Sequence, residues 1–113
     1  MASPSQQIVE TQQLGSSPAL LYDSPTGTWT QILALTATNT DTTSHTLTLY
    51  IVPAGSIATN ATMTTPGRGI LAGGNYHGQN ETGQILNPGD ALWGQADTGG
   101  VVNILASGLL TVS

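Results

Sequence analysis

Apolar and polar residues alternate with a period of two along much of the chain, which is the signature of half-buried strands. The clearest run is residues 45–52 (HTLTLYIV). Leu47, Leu49 and Ile51 share one side, and Thr46, Thr48 and Tyr50 the other. Residues 28–38 (TWTQILALTAT) form a longer run with two partly apolar faces. Leu33, Leu35 and Ala37 lie on one, and Ile32, Ala34 and Thr36 on the other. Such a strand belongs at the centre of a sheet or against a partner on its outer side. The polar stretch 39–44 between these runs predicts a turn, and the three segments together predict an antiparallel hairpin.

The rest of the pattern is short strands cut by turn residues. Residues 19–22 (ALLY) precede the turn DSPTG at 23–27. After Pro53 and Gly55, residues 56–66 fit either a short helix or a loose loop. Strands are expected at 67–71, 75–79, 83–86, 91–96, 101–106 and 109–112. The turn NPGD at 87–90 has Pro at its second position and at its third a Gly able to take positive φ. Gly94 interrupts its strand and is the candidate bulge position. About eight short strands at turn spacings predict an all-β fold, an antiparallel β-sandwich or a jelly-roll-like small barrel, over residues 19–113. Residues 1–18 are polar apart from Ile8 and Val9 and fit either a disordered tail or an extended N-terminal arm, whose residues 6–13 suit strand pairing along a neighbour. The opening has neither the cationic start nor the apolar stretch of a secretory signal.

Composition supports the all-β reading. The 113 residues suit one domain, and 18 of them are Thr, which favours pleated strands. Phe is absent, so the core must be aliphatic. Charge narrows the function. Only 6% of residues are charged, against about 25% in an ordinary soluble domain. Arg68 is the only Lys or Arg, and six acids leave a net charge of -5. One cation cannot neutralise a phosphate backbone or hold an anionic membrane surface, so neither nucleic acid nor membrane is an expected partner. A surface with so few charges is either solvated by Thr, Ser, Asn and Gln or, the sharper reading, occupied by other protein subunits, because charge is depleted at interface cores.

Candidate chemistry is sparse. There is no Cys, hence no disulfide and no thiol nucleophile. His45 and His77 are the only side chains with ordinary titration near neutrality, and no Gly-x-Ser-x-Gly elbow accompanies them. Both are expected as exposed polar residues or contacts between subunits, and no enzyme activity is expected. Asp23, Asp41, Asp90 and Asp97 all fall in turns, without a calcium-loop spacing; each is expected to shape its own turn. No metal or other cofactor is implied. The sequons at Asn60 and Asn80 are chance matches if no secretory signal precedes them. Trp29 and Trp93 are expected as core or interface anchors, with a sugar-stacking platform as the alternative. The interface candidates are Ile8 and Val9 in the arm, Ile32 and Ala34 on the second apolar face of the long strand, and Arg68.

One resemblance runs through the order of these features. A strand ending at Tyr22 leads to a Pro turn, then to an apolar strand closing in TNTD at 38–41. LTLYIVPAG at 47–55 follows, then ILNPGD at 85–90 and a terminal strand with ASG at 106–108. This resembles the small β-sandwich structural proteins encoded in the virion gene clusters of tailed bacteriophages, over roughly residues 19–113. The resemblance implies a virion component made in the host cytoplasm, foremost a capsid cement (decoration) protein on the capsid surface. Such a protein would contact the major capsid protein as a homo-oligomer, with a trimer favoured. A neck, head-fibre or tail-tip piece that binds a receptor or carbohydrate is the alternative, and would use Trp93, Tyr76 or Trp29 for stacking.

Overall fold

The computed structural model describes residues 5–112. Among them are nine strands: β1 (Ser5–Gln13), β2 (Ala19–Asp23), β3 (Thr28–Asn39), β4 (His45–Val52), β5 (Met63–Ile70), β6 (Asn75–Tyr76), β7 (Ile85–Leu86), β8 (Ala91–Ala96) and β9 (Val102–Val112). One 3-10 turn, Asn60–Thr62, leads into β5. Every pairing is antiparallel. One sheet has the order β1-β9-β3-β6, with β7 also pairing β3; the other has the order β2-β8-β4-β5. The two sheets pack face to face, so the all-β sandwich expected from the alternation is present.

The core between the sheets is aliphatic. Val9, Leu35, Ala37, Val102, Ile104 and Ala106 of the larger sheet meet Leu47, Leu49, Leu92 and Ala96 of the smaller one. Each fully buried Leu, Ile or Val contributes roughly 1.5–3 kcal/mol by leaving water. Gly94 sits at the closest approach. A Cβ there would lie 3.0 Å from Leu21 Cδ1 and from Leu49 Cδ2, so a missing side chain lets three leucines, Leu14 included, close over β8.

The long strand β3 is central, as its two apolar faces predict. Its faces, however, are not those of an unbroken alternation. Ile32 pairs with Gly108 and Ala34 with Ser107, which leaves Leu33 as an extra residue, a β-bulge. The bulge reverses the parity of the strand. Thr30 and Ile32 point inward before it, and Leu35 and Ala37 after it, while Leu33 and Ala34 are both exposed. A second bulge, at Ile8 of β1, flanks the same stretch of β9 from the other side.

Three further expectations are corrected. The segments 28–38 and 45–52 do not form a hairpin: β3 lies in one sheet and β4 in the other. Both present apolar faces, so they gain more by packing across the core than by sharing an edge. Asn39 holds the crossing. It is fully buried, donates Nδ2 to the carbonyls of Thr43 (2.8 Å) and Ile70 (3.0 Å), and accepts the Asp41 N–H at 3.0 Å. The break expected at Ser107-Gly108 is absent, and β9 runs straight through it. The arm, within its described residues, pairs not with a neighbour but with β9 of its own chain. Val9 and Leu14 are buried in the core, so β1 is part of the sandwich; residues 1–4 of the arm lie outside the described residues.

The NPGD turn forms as predicted. Gly89 takes φ +87°, and the Asp90 N–H bonds the Asn87 carbonyl at 2.9 Å. The Asp90 carboxylate accepts the Asn87 N–H and also the Ala54 N–H, both at 3.0 Å, which ties two turns together.

Candidate functional site

The outer face of the five-stranded sheet is the most distinctive surface. The strand registers place its outward side chains in rows. Ser5, Leu109, Gln31 and Ile85 form one, Gln7, Ser107 and Ala34 the next, and Gln13, Asn103, Thr38 and Asn75 another. The pair Thr36–Leu105 lies between the last two rows, and the pair Trp29–Thr111 lies beyond the first. None of the residues in these rows carries a charge, and the one charged side chain of these strands is Glu10 of β1, exposed next to the buried Val9. Trp29, Leu33, Ile85 and Leu105 are all exposed large apolar side chains. Where the two bulges splay the backbone, a half-open dimple of about 120 Å³ forms, walled by Gln7, Ala34, Thr36, Leu105 and Ser107. A face with so little charge and a shallow apolar dimple is suited to protein contact.

The candidate interface residues scatter. Ala34 lines this dimple, as a second apolar face requires. Ile32 does not share that face: the Leu33 bulge turns it inward and leaves it fully buried. Val9 is fully buried opposite Ala106, and Ile8 is half-buried against the core. Neither Val9 nor Ile32 therefore offers surface to a neighbour in this fold. Leu33 and Leu105 are instead the large apolar side chains exposed beside Ala34 and in the dimple wall, and sequence reasoning missed Leu33 because a bulge leaves no mark in the alternation itself. Arg68 is exposed on β5, and its guanidinium carbon lies 5.3 Å from the centre of the Tyr76 ring, a cation–π contact.

The candidate stacking residues do not form a platform. Trp29 is on β3 and Trp93 on β8, so the two belong to opposite sheets. Tyr76 is buried beneath Arg68. On the smaller sheet, Leu20, Trp93, Tyr50 and Met63 form a cross-strand row, within which Tyr50 is covered and Leu20 exposed.

Two polar clusters were invisible in the sequence. The first surrounds Glu81, the most deeply buried acid. Its carboxylate accepts hydrogen bonds from Thr64 Oγ1 (2.5 Å), Thr65 Oγ1 (2.7 Å) and Tyr76 OH (2.9 Å). Burial, foremost, pushes the Tyr76 phenol up, which keeps it a donor. Every one of these partners is a hydroxyl, and the carboxylate is closed to solvent. The second cluster joins residues 52 apart in sequence. His45 Nε2 meets Asp41 Oδ2 at 2.7 Å and His45 Nδ1 meets Asp97 Oδ1 at 2.8 Å. The ring is only 11% exposed, so His45 is not the open polar residue expected. The Asp41 hydrogen bond, reinforced by Asp97 against partial burial, raises His45 above its usual value. Asp41 is held low, first by His45 and then by the Thr42 N–H. At Asp97 partial burial acts upward but is outweighed by hydrogen bonds from His45 and the Thr46 main chain. The two carboxylates sit at opposite ring nitrogens and so do not converge on one ion, and no grouping able to hold a metal exists among the described residues. His77 is exposed and distant from these groups in the bonding pattern.

No protein-family model, curated protein or solved structure matches this chain.

Proposed function

We propose that this chain is a non-catalytic virion structural protein of the capsid cement type, which binds assembled heads through protein–protein contacts. The observation that carries the reading is the outer face of the five-stranded sheet, whose strands hold one charged side chain, Glu10, with Leu33 exposed at the bulge and Leu105 lining the dimple. The resemblance in segment order supplies the class of partner, a major capsid protein, and favours attachment as an oligomer. The acidic balance keeps such a protein off packaged nucleic acid. Thr43 Oγ1 lies 3.3 Å from His45 Nε2, but that nitrogen is engaged more closely by Asp41 at 2.7 Å and the other by Asp97 at 2.8 Å, which favours an adhesive over a hydrolytic role.

The test is sedimentation of purified protein with assembled heads that lack it. Wild type is expected to pellet with heads, and the double variant Leu33→Asp/Leu105→Asp to remain in the supernatant while still folded. A wild type that ignores heads overturns the reading. A second reading, a carbohydrate-binding module at a fibre or tail tip, is favoured by one observation: the Trp29 ring is exposed on the same face. Binding to a glycan array that Trp29→Ala abolishes would replace the first reading with the second.

A further inference from the structure

We propose that His45 is a proton-operated latch, which when protonated ties the turn at 40–44 to the turn at 97–100 and on losing its proton lets them part. The argument rests on what the atoms can do. A carboxylate oxygen only accepts, so an imidazole that bonds carboxylates at both nitrogens must carry a proton on each. That species is the imidazolium, and its two contacts are short, 2.7 and 2.8 Å, as charge-assisted bonds are. Loss of one proton leaves a nitrogen lone pair facing a carboxylate lone pair, and one of the two bonds must break.

The latch lies where release has consequences. Past Asp97, the same turn receives the segment that carries the chain from one sheet to the other. Gly100 N–H bonds the Leu14 carbonyl at 3.1 Å, Ala96 N–H the Gly15 carbonyl at 2.9 Å, and Leu14 N–H the Val102 carbonyl at 2.8 Å. On the other side, Thr40 N–H bonds the Val101 carbonyl at 2.8 Å. His45 thus fastens the end of the sandwich at which β1 hands over to β2. The charged groups facing His45 are Asp41 from the turn and Asp97 from the end of β8. On β5 its register partner is Ile70, and the one cation of that strand, Arg68, is placed over Tyr76. Thr43 Oγ1, 3.3 Å from Nε2, is the remaining polar neighbour.

The experiment combines an NMR titration of the His45 ring with amide hydrogen exchange of Leu14 and Gly100, on the full chain, from about pH 5 to about pH 9, which spans the ordinary His value. Protection of both amides, corrected for intrinsic exchange, is expected to fall as His45 deprotonates, while that of Leu49 in the core holds. In Asp97→Asn the His45 titration is expected to move down, and in His45→Gln protection of Leu14 and Gly100 is expected to lose its pH dependence. Unchanged protection of Leu14 and Gly100 through the titration overturns the proposal. So does a His45 titration that Asp97→Asn leaves in place. Asp97→Asn keeps a side chain of the same shape and serves if His45→Gln does not fold.

Discussion

Tyr76 donates its hydroxyl to Glu81 at 2.9 Å, and both groups are shut away from water. The chain's one Arg lies over the face of that Tyr ring, so its only Lys or Arg reaches its most buried carboxylate through an aromatic side chain and not through an ion pair. A buried carboxylate without a cation beside it needs every one of its hydroxyl donors.

Tyr76→Phe is therefore expected to destabilise the fold by about 2 kcal/mol, the range for a hydrogen bond to a charged group. That corresponds to a fall of roughly 10 °C in Tm for a domain of this size. Thermal and urea unfolding would check it. A change within about 0.5 kcal/mol, the range for ordinary surface substitutions, would show that the Glu81 cage tolerates a missing donor.

Leu33 and Leu35 stand two apart, and an unbroken strand would make them equivalent. The bulge separates them. Leu35→Ala is expected to cost about 2–5 kcal/mol, whereas Leu33→Ala stays within about 0.5 kcal/mol. Equal losses in urea denaturation would contradict the bulge.

Gly94→Ala introduces a methyl 3.0 Å from Leu21 Cδ1 and Leu49 Cδ2. Overpacking of this kind costs typically about 1–3 kcal/mol. Gly15→Ala, where a Cβ meets open space, is the control and is expected to be nearly neutral.

Leu14 is buried at the crossing between the sheets. Leu14→Ala is expected to cost about 2–5 kcal/mol, and removal of β1 to unfold or severely loosen the sandwich, because Val9 leaves the core with it. Circular dichroism of a chain starting after residue 18 measures this directly. A fully cooperative transition at the wild-type temperature would restore the picture of a separable arm.

The His45 cluster sets a pH window. A His whose value is raised on folding contributes stability in full below its unfolded value, here 6.5, and loses it as pH rises through the folded value. Asp41 and Asp97, lowered from 3.8, contribute above that value and lose it as pH falls through their folded values. The cluster's contribution is thus largest between about 3.8 and 6.5. Melting of wild type and His45→Gln is expected to differ most in that window and to converge at alkaline pH.

Much of the architecture was legible in the residues. The alternation at 45–52, the NPGD turn and the Thr-rich composition all lead to an antiparallel sandwich, because side-chain direction and turn geometry are local properties. The hairpin between β3 and β4 was misread because a polar turn looks the same whether the strands it joins share an edge or face each other. Asn39 is what decides, through bonds to Thr43 and to Ile70, 31 residues away. The parity of Ile32 was lost for a related reason: the bulge depends on how β9 lies beside β3. The outer face was half legible. Ala34 was picked from periodicity, while Leu33, Leu105 and the Asp41–His45–Asp97 cluster needed the third dimension.

The interruptions in the outer strands bear on how copies of this chain behave when crowded. A straight strand with free main-chain groups recruits its own kind into stacked fibrils. In β1, β2 and β5 no regular stretch of pairing exceeds three residues before the register slips, and β5 adds Pro66. The margins are too crooked to act as templates. Alongside the repulsion from a net charge of -5, this keeps the protein from welding to itself edge to edge.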